Sequence, residues 1–216
     1  MWILIAVLVL GVVYFGIGGY AAYTLSIPED HPVYAVDPTT YKASYENVTF
    51  ISRVDHLNLT AWYLPNETAE RAVILVHGRN ANKRDAITGH MPELGAELQR
   101  AGLAVLIIDL RAHGESEGKR YMWGYEERRD VEGAIDYLLS KGFDPGNIGL
   151  LGVSLGGAGV IGAAAEEPAV GAIALDSTFA DLNALVAPNW KEESGLPMFF
   201  LPGVFLMWQV MYGFNL

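Results

Sequence analysis

Ser154 stands in the stretch LLGVSLGGAG (150–159), with Gly152 two residues before it and Gly156 two after. This G-x-S-x-G spacing is that of a nucleophilic serine on a sharp turn between a strand and a helix. Such a turn holds the serine at positive φ. Side chains at the flanking positions would meet the neighbouring strand and helix, and Gly152 and Gly156 avoid that. The helix that follows begins at the serine, so its positive end and the Leu155 N–H face an oxyanion developing on an attacked carbonyl. Upstream, VHGRN (76–80) ends an apolar run in His-Gly. The Arg79 N–H is the second oxyanion donor expected there, while His77 reads as a structural histidine that ties the loop down, with a general base as the alternative.

A serine nucleophile needs a base and an acid that orients the base. The five histidines, His31, His56, His77, His90 and His113, all precede Ser154. Asp176 is a possible alternative acid; the competing reading is an aspartate that satisfies backbone N–H groups at a strand end. Glu166, Glu167, Asp181, Glu192 and Glu193 read as solvated charge. His31, His56 and His90 are scattered without ligand spacing, so no metal site is expected, and no cofactor. The absence of cysteine excludes disulfides, thiolate metal sites and cysteine catalysis.

Several elements must position these groups. AVILVHG (72–78), LAVLIIDLR (103–111), NIGLLGV (147–153) and AVGAIALDS (169–177) are continuous apolar runs, the pattern of strands buried on both faces. VTFISRV (48–54) and LNLTAWYL (57–64) predict a hairpin across Asp55 and His56. Helical periodicity runs through PELGAELQRAG (92–102), and Val131, Ala134, Ile135 and Leu138 fall at helical spacing in the segment 125–142. GGAGVIGAAAEE, after the serine, is helix-prone. Strands alternating with helices predict an α/β fold with a mostly parallel sheet covered on both faces. A net charge of −11 without a basic run argues against nucleic acid as a partner.

Trp2 to Ile27 carries no charge. As a helix it is roughly 39 Å long against roughly 30 Å of hydrocarbon, with Trp2, Tyr20 and Tyr23 suited to the two interfaces. A transmembrane anchor over 1–27 is expected, with a cleaved signal peptide as the alternative. The acidic PEDHP flank leans towards an extracytoplasmic domain. Residues 28–46, with Pro28, Pro32 and Pro38, read as a linker, 47–177 as the catalytic core, and 178–216 as part of a cap. Residues 196–216 are uncharged and suit an apolar lid; a second span is the alternative. Asn47, Asn58 and Asn66 each open an N-x-T triplet.

Together, VHGRNANK, DLRAHGESEG (109–118), GYEERRDVEGAIDYL (124–138), GVSLGGA and ALDSTFADL (174–182) resemble, in order, the α/β-hydrolases of the serine aminopeptidase-like and esterase-like branch. The resemblance covers about residues 46 to 216. It implies scaffolding roles for Asp109, Arg111 and His113, with His113 at the active-site edge of the sheet. In such relatives the acid and then the histidine follow the cap, so the resemblance implies a C-terminally truncated fold. The expected activity is cleavage of an ester, thioester or small amide, on a small-molecule acyl or peptide-like substrate. The alternative is a hydrolase-like fold without catalysis that serves as a membrane-tethered binding module.

Overall fold

The computed structural model describes residues 1–29, 35–84 and 90–213. His31 therefore lies outside the described residues, as do parts of the 28–46 linker and the last residues of the 196–216 segment. The chain forms two compact units, one of Pro28–Phe179 and one of Met1–Ile27 with the chain from Ala180 onward.

The larger unit is built on a six-stranded sheet: β1 (Glu46–Ile51), β2 (Asn58–Leu64), β3 (Ala72–Val76), β4 (Ala104–Ile108), β5 (Ile148–Val153) and β6 (Val170–Asp176), in the order β1-β2-β4-β3-β5-β6. β1 and β2 pair antiparallel, β2 meets β4 antiparallel, and β4, β3, β5 and β6 run parallel. Helices α2 (Met91–Arg100), α3 (Glu127–Ser140) and α4 (Leu155–Glu166) make the crossovers. This is the α/β fold expected from the alternation of apolar runs and periodic helices.

The pleat sends alternate residues to opposite faces. Trp62, Leu64, Leu75, Val105 and Ile107 are buried together with Met91 and Ala96 of α2. Val131, Ala134, Ile135 and Leu138 of α3, at the spacing read from the sequence, and Val160 and Ala163 of α4 are buried as well. β4 is buried at every position, as its unbroken apolar run requires.

One expectation is corrected. β1 stops at Ile51, and the connection to β2 is a longer turn in which Val54 (φ 75°) and His56 (φ 56°) take left-handed conformations. Arg53 is drawn out of the strand by ion pairs with Asp136 at 2.6 Å and Glu167 at 2.7 Å. Among the described residues β6 is the outermost strand, and Ile173 and Leu175 are 48% and 43% exposed.

The smaller unit contains α1 (Trp2–Thr24), α5 (Leu182–Ser194) and α6 (Leu201–Tyr212). α1 has a mean hydropathy of 2.4, and by length and composition it could cross a membrane.

Candidate active site

β5 ends at Val153, and α4 starts at Leu155. Ser154 joins them at φ 51°, ψ −116°, a conformation that costs an L-residue about 1–3 kcal/mol and persists only where its surroundings enforce it. The enforcement is visible on three sides. The Ser154 N–H donates to Asp176 O on β6 at 2.8 Å. A Cβ on Gly152 would fall 2.6 Å from Gly157 Cα, and one on Gly156 would fall 2.7 Å from Val76 O and against His77 O. β5, α4 and β3 thus meet at distances that only hydrogen allows at these two positions. Leu155 is the first residue of α4, so its N–H has no acceptor within the helix.

The loop after β3 runs directly against the serine, because a Cβ on Gly78 would lie 3.3 Å from Ser154 Cβ. This brings the backbone beside Arg79 to the elbow. Two buried histidines hold that loop. His77 Nδ1 donates to Gly78 O at 2.8 Å, and Nε2 accepts from Leu110 N at 3.0 Å. His113 Nδ1 donates to Arg111 O at 2.7 Å, and Nε2 accepts from Asn80 N at 3.3 Å. The partners fix both tautomers, since a carbonyl only accepts and a backbone N–H only donates. Burial pushes the His77 pKa down, and burial beside His77 pushes that of His113 down to about 3. Both rings are neutral spacers, and each acceptor nitrogen is already occupied.

Beneath the loop, Asp109 accepts from Lys83 N at 2.7 Å, Lys83 Nζ at 2.7 Å, Thr60 Oγ1 at 3.0 Å and Glu115 N at 3.1 Å. Burial alone would raise its pKa, but the Lys83 ammonium and these donors carry it below the ordinary value. Arg111 forks onto Asp130 and also reaches Asp55 and Glu126, the latter two at 2.6 and 2.9 Å. These two buried ion clusters anchor the loops after β3 and β4.

Glu127, on the first turn of α3, is fully buried. It accepts from Met122 N at 2.8 Å and Gly124 N at 2.6 Å. Burial, with Asp130 nearby, pushes its pKa up to about 7. It thereby fixes Trp123 at φ 52°, where the indole lies 5.2 Å from the Arg79 guanidinium. Asn80, Ala112, Trp123, Ser154 and Ser177 all take positive φ, and each lies in a loop beyond the carboxyl end of a parallel strand. Backbone strain is concentrated on the edge of the sheet where the elbow stands.

Asp176 is the alternative acid read from the sequence. The Asp176 carboxylate accepts from the Ser177 hydroxyl at 2.8 Å rather than from backbone N–H groups. Among the described residues no histidine nitrogen or carboxylate is hydrogen-bonded to Ser154 Oγ. Glu167 and Asp181, read as solvated charge, pair with Arg53 and cap α5 through Ala184 N, respectively. His90 hydrogen-bonds to Glu93 at 2.7 Å. The sequence reading gave no role to Asn80, Lys83, Trp123 or Glu127. Glu127 was accessible to it, because an acid four residues before Val131 lies on the apolar stripe of α3.

The sequence profile of the family described as X-Pro dipeptidyl-peptidase (S15 family) matches residues 55–190. The chain is 35% identical over 130 residues to the thiohydrolase aneE of Aspergillus aculeatus, covering 59% of this chain and 39% of that protein. It is 30% identical over 138 residues to the uncharacterized protein Rv2307c of Mycobacterium tuberculosis, covering 63% of this chain and 47% of that protein. The chain thus spans half or less of the length of these curated relatives. Among solved structures, the Pyrococcus furiosus esterase Pf2001 superposes with a TM-score of 0.69 at 24% identity, over 84% of this chain and 69% of that one. That likeness establishes the α/β-hydrolase fold.

Proposed function

Starting from the fact that the chain belongs to the X-Pro dipeptidyl-peptidase (S15) family of the α/β-hydrolase superfamily, we propose that it is a serine hydrolase held at a membrane by α1. Ser154 Oγ attacks the carbonyl carbon of an ester, thioester or small amide and gives up its proton to a base. The tetrahedral oxyanion is received by the N–H groups of Arg79 and Leu155. Collapse expels the alcohol, thiol or amine, which takes up a proton, and leaves an acyl group on Ser154. Water then releases the acid by the same steps in reverse order. The observation that carries this reading is the Ser154 backbone at φ 51°, enforced by close packing at Gly152 and Gly156. Similarity to a thiohydrolase favours esters and thioesters over amides.

Neither His77 nor His113 is assigned as the base, because each acceptor nitrogen is filled by a backbone N–H. Asp176 is kept as an alternative acid. Residues 1–27 are assigned as the anchor, 28–46 as the linker, 47–177 as the core and 178–216 as cap, with the core on the extracytoplasmic side. The absence of a base at Ser154 Oγ among the described residues favours a second reading, a membrane-tethered binding module.

Turnover of p-nitrophenyl esters and acyl thioesters by the native protein tests the choice. Ser154→Ala should lower kcat by about 10⁶, the loss seen for a triad nucleophile. Turnover unchanged in Ser154→Ala would refute the assignment. No turnover by the native protein, together with retained ligand binding, would establish the binding module.

A further inference from the structure

Arg79 sits between two peptide groups, each held by a buried histidine. The Gly78 carbonyl accepts from His77 Nδ1 at 2.8 Å. In a planar trans peptide the Arg79 N–H points the opposite way, away from that ring. On the other side, the Asn80 N–H donates to His113 Nε2. With both flanking planes held, the two soft dihedrals of Arg79 are set, and so is the direction of its N–H. The clamp is uneven. The bond from Asn80 N is 3.3 Å long, whereas the other bonds made by the two rings run from 2.7 to 3.0 Å. Asn80 also stands at φ 57°, a left-handed conformation that asparagine tolerates better than most side chains. The weakest grip on the loop thus falls on its strained residue.

A second grip on that residue comes from the linker. Asn80 Oδ1 accepts from the Glu29 N–H at 3.1 Å. Glu29 is five residues past the end of α1, and it belongs with Asn80 to the larger unit. The linker meets the same loop again at Val36, whose carbonyl accepts from Arg84 Nη1 at 3.4 Å, while the Arg84 guanidinium lies 4.7 Å from the centre of the Trp62 ring. Residues 29 and 36 are therefore tied to residues 80 and 84 of one loop. A neutral hydrogen bond at a partly exposed site adds little to the stability of the fold, because water competes for both groups. What it restricts is orientation. Once its side chain is held, Asn80 cannot let the Arg79–Asn80 peptide plane turn about the long bond to His113.

We propose that Asn80 is a positioning residue for the Arg79 oxyanion donor, and that the linker completes the clamp through the Glu29 N–H. Asn80 touches no reacting atom. It acts by keeping the Arg79 N–H aimed at the point where the Leu155 N–H also points. A misaimed donor loses most in the transition state, where the charge has moved onto oxygen, and little in the ground state. The effect therefore falls on kcat rather than on KM. The proposal rests on the reading of Ser154 as nucleophile and of Arg79 and Leu155 as donors.

A double-mutant cycle in the full chain tests this. Asn80→Gly removes the acceptor and keeps the left-handed backbone accessible. Glu29→Pro removes the N–H and leaves the acceptor in place. Both single variants and the double variant are measured for turnover of a p-nitrophenyl ester, for the rate of fluorophosphonate labelling and for Tm. Deleting an oxyanion donor costs about 10²–10³ in kcat, so misaiming one should cost a part of that, about 10-fold. Each single variant should lose that much in kcat and in labelling rate, with KM unchanged and Tm within about 2 °C of native. The double variant should lose no more than either single one, because both remove the same bond. Losses that multiply in the double variant would show that the two residues act separately and would overturn the proposal. Native kcat in Asn80→Gly would overturn it as well, as would a loss confined to KM or one that follows a fall in Tm. In each of these cases, labelling of the native protein at Ser154 leaves the hydrolase reading standing. A native protein that neither turns over the ester nor takes the label would overturn that reading and the proposal together.

Discussion

Gly156→Ala tests how the elbow is built. The new methyl carbon would lie 2.7 Å from Val76 O and closer still to His77 O, against about 3.4 Å for ordinary contact. Both obstacles are backbone carbonyls: Val76 ends β3, a strand paired on both sides, and His77 is the next residue, its ring bonded to Gly78 O and Leu110 N, so neither turns away freely. Relief requires α4 to shift by roughly 1 Å from β3. Overpacking of this kind costs about 1–3 kcal/mol. In a domain of this size that lowers Tm by roughly 3–10 °C. The Leu155 N–H moves with α4, while the Arg79 N–H stays with the loop after β3. A 1 Å misplacement of a catalytic group costs about 10²-fold in rate. Thermal unfolding and the rate of fluorophosphonate labelling read the two effects separately. Gly149→Ala, near the start of β5, is the control, since its Cβ would meet nothing nearer than 3.8 Å. A Gly156→Ala protein with native Tm and native labelling rate would refute the claim that this contact sets the oxyanion geometry.

The buried titrating groups make further expectations. His113 has its pKa held near 3 in the fold against 6.5 for the free side chain. The folded state therefore binds fewer protons than the unfolded one between these values. The contribution of His113 to stability is full above pH 6.5 and falls as pH drops below it, by up to about 1.4 kcal/mol per unit. His113→Phe should flatten that acid limb in urea titrations, and an unchanged slope would contradict the assignment. Glu127 works in the opposite sense. With its pKa near 7 against 4.5, the fold loses stability as pH rises through that window, by about 3 kcal/mol in all, and Glu127→Gln should abolish that loss. Lys83→Met should cost about 3–5 kcal/mol, because it leaves the Asp109 carboxylate buried without its cation. A loss below about 1 kcal/mol would show that Asp109 is neutral in the fold.

The sequence carried the parts of the site that depend on local spacing. Gly152, Ser154 and Gly156 announce a strand-to-helix turn because close packing excludes every other residue at the two glycines, and that signal needs no partner. The apolar runs located all four parallel strands to within a residue or two at most ends. What depends on distant partners was less visible. No spacing rule ties Lys83 to Asp109, or Glu127 to the backbone of residues 122 and 124; these contacts exist only once β3, β4 and α3 converge. The 196–212 segment showed its apolarity but not its partner, because the contact with α1 joins residues more than 180 positions apart.

The most direct test of the central claim is to treat the native protein with a fluorophosphonate and locate the adduct by peptide mass spectrometry. The account predicts one phosphonyl group on the peptide that carries GVSLGG, attached to Ser154, with none on Ser177 and none in Ser154→Ala. Labelling should persist in His77→Ala, because that ring has no bond to Ser154 Oγ. An adduct on another residue, or undiminished labelling of Ser154→Ala, would contradict the account.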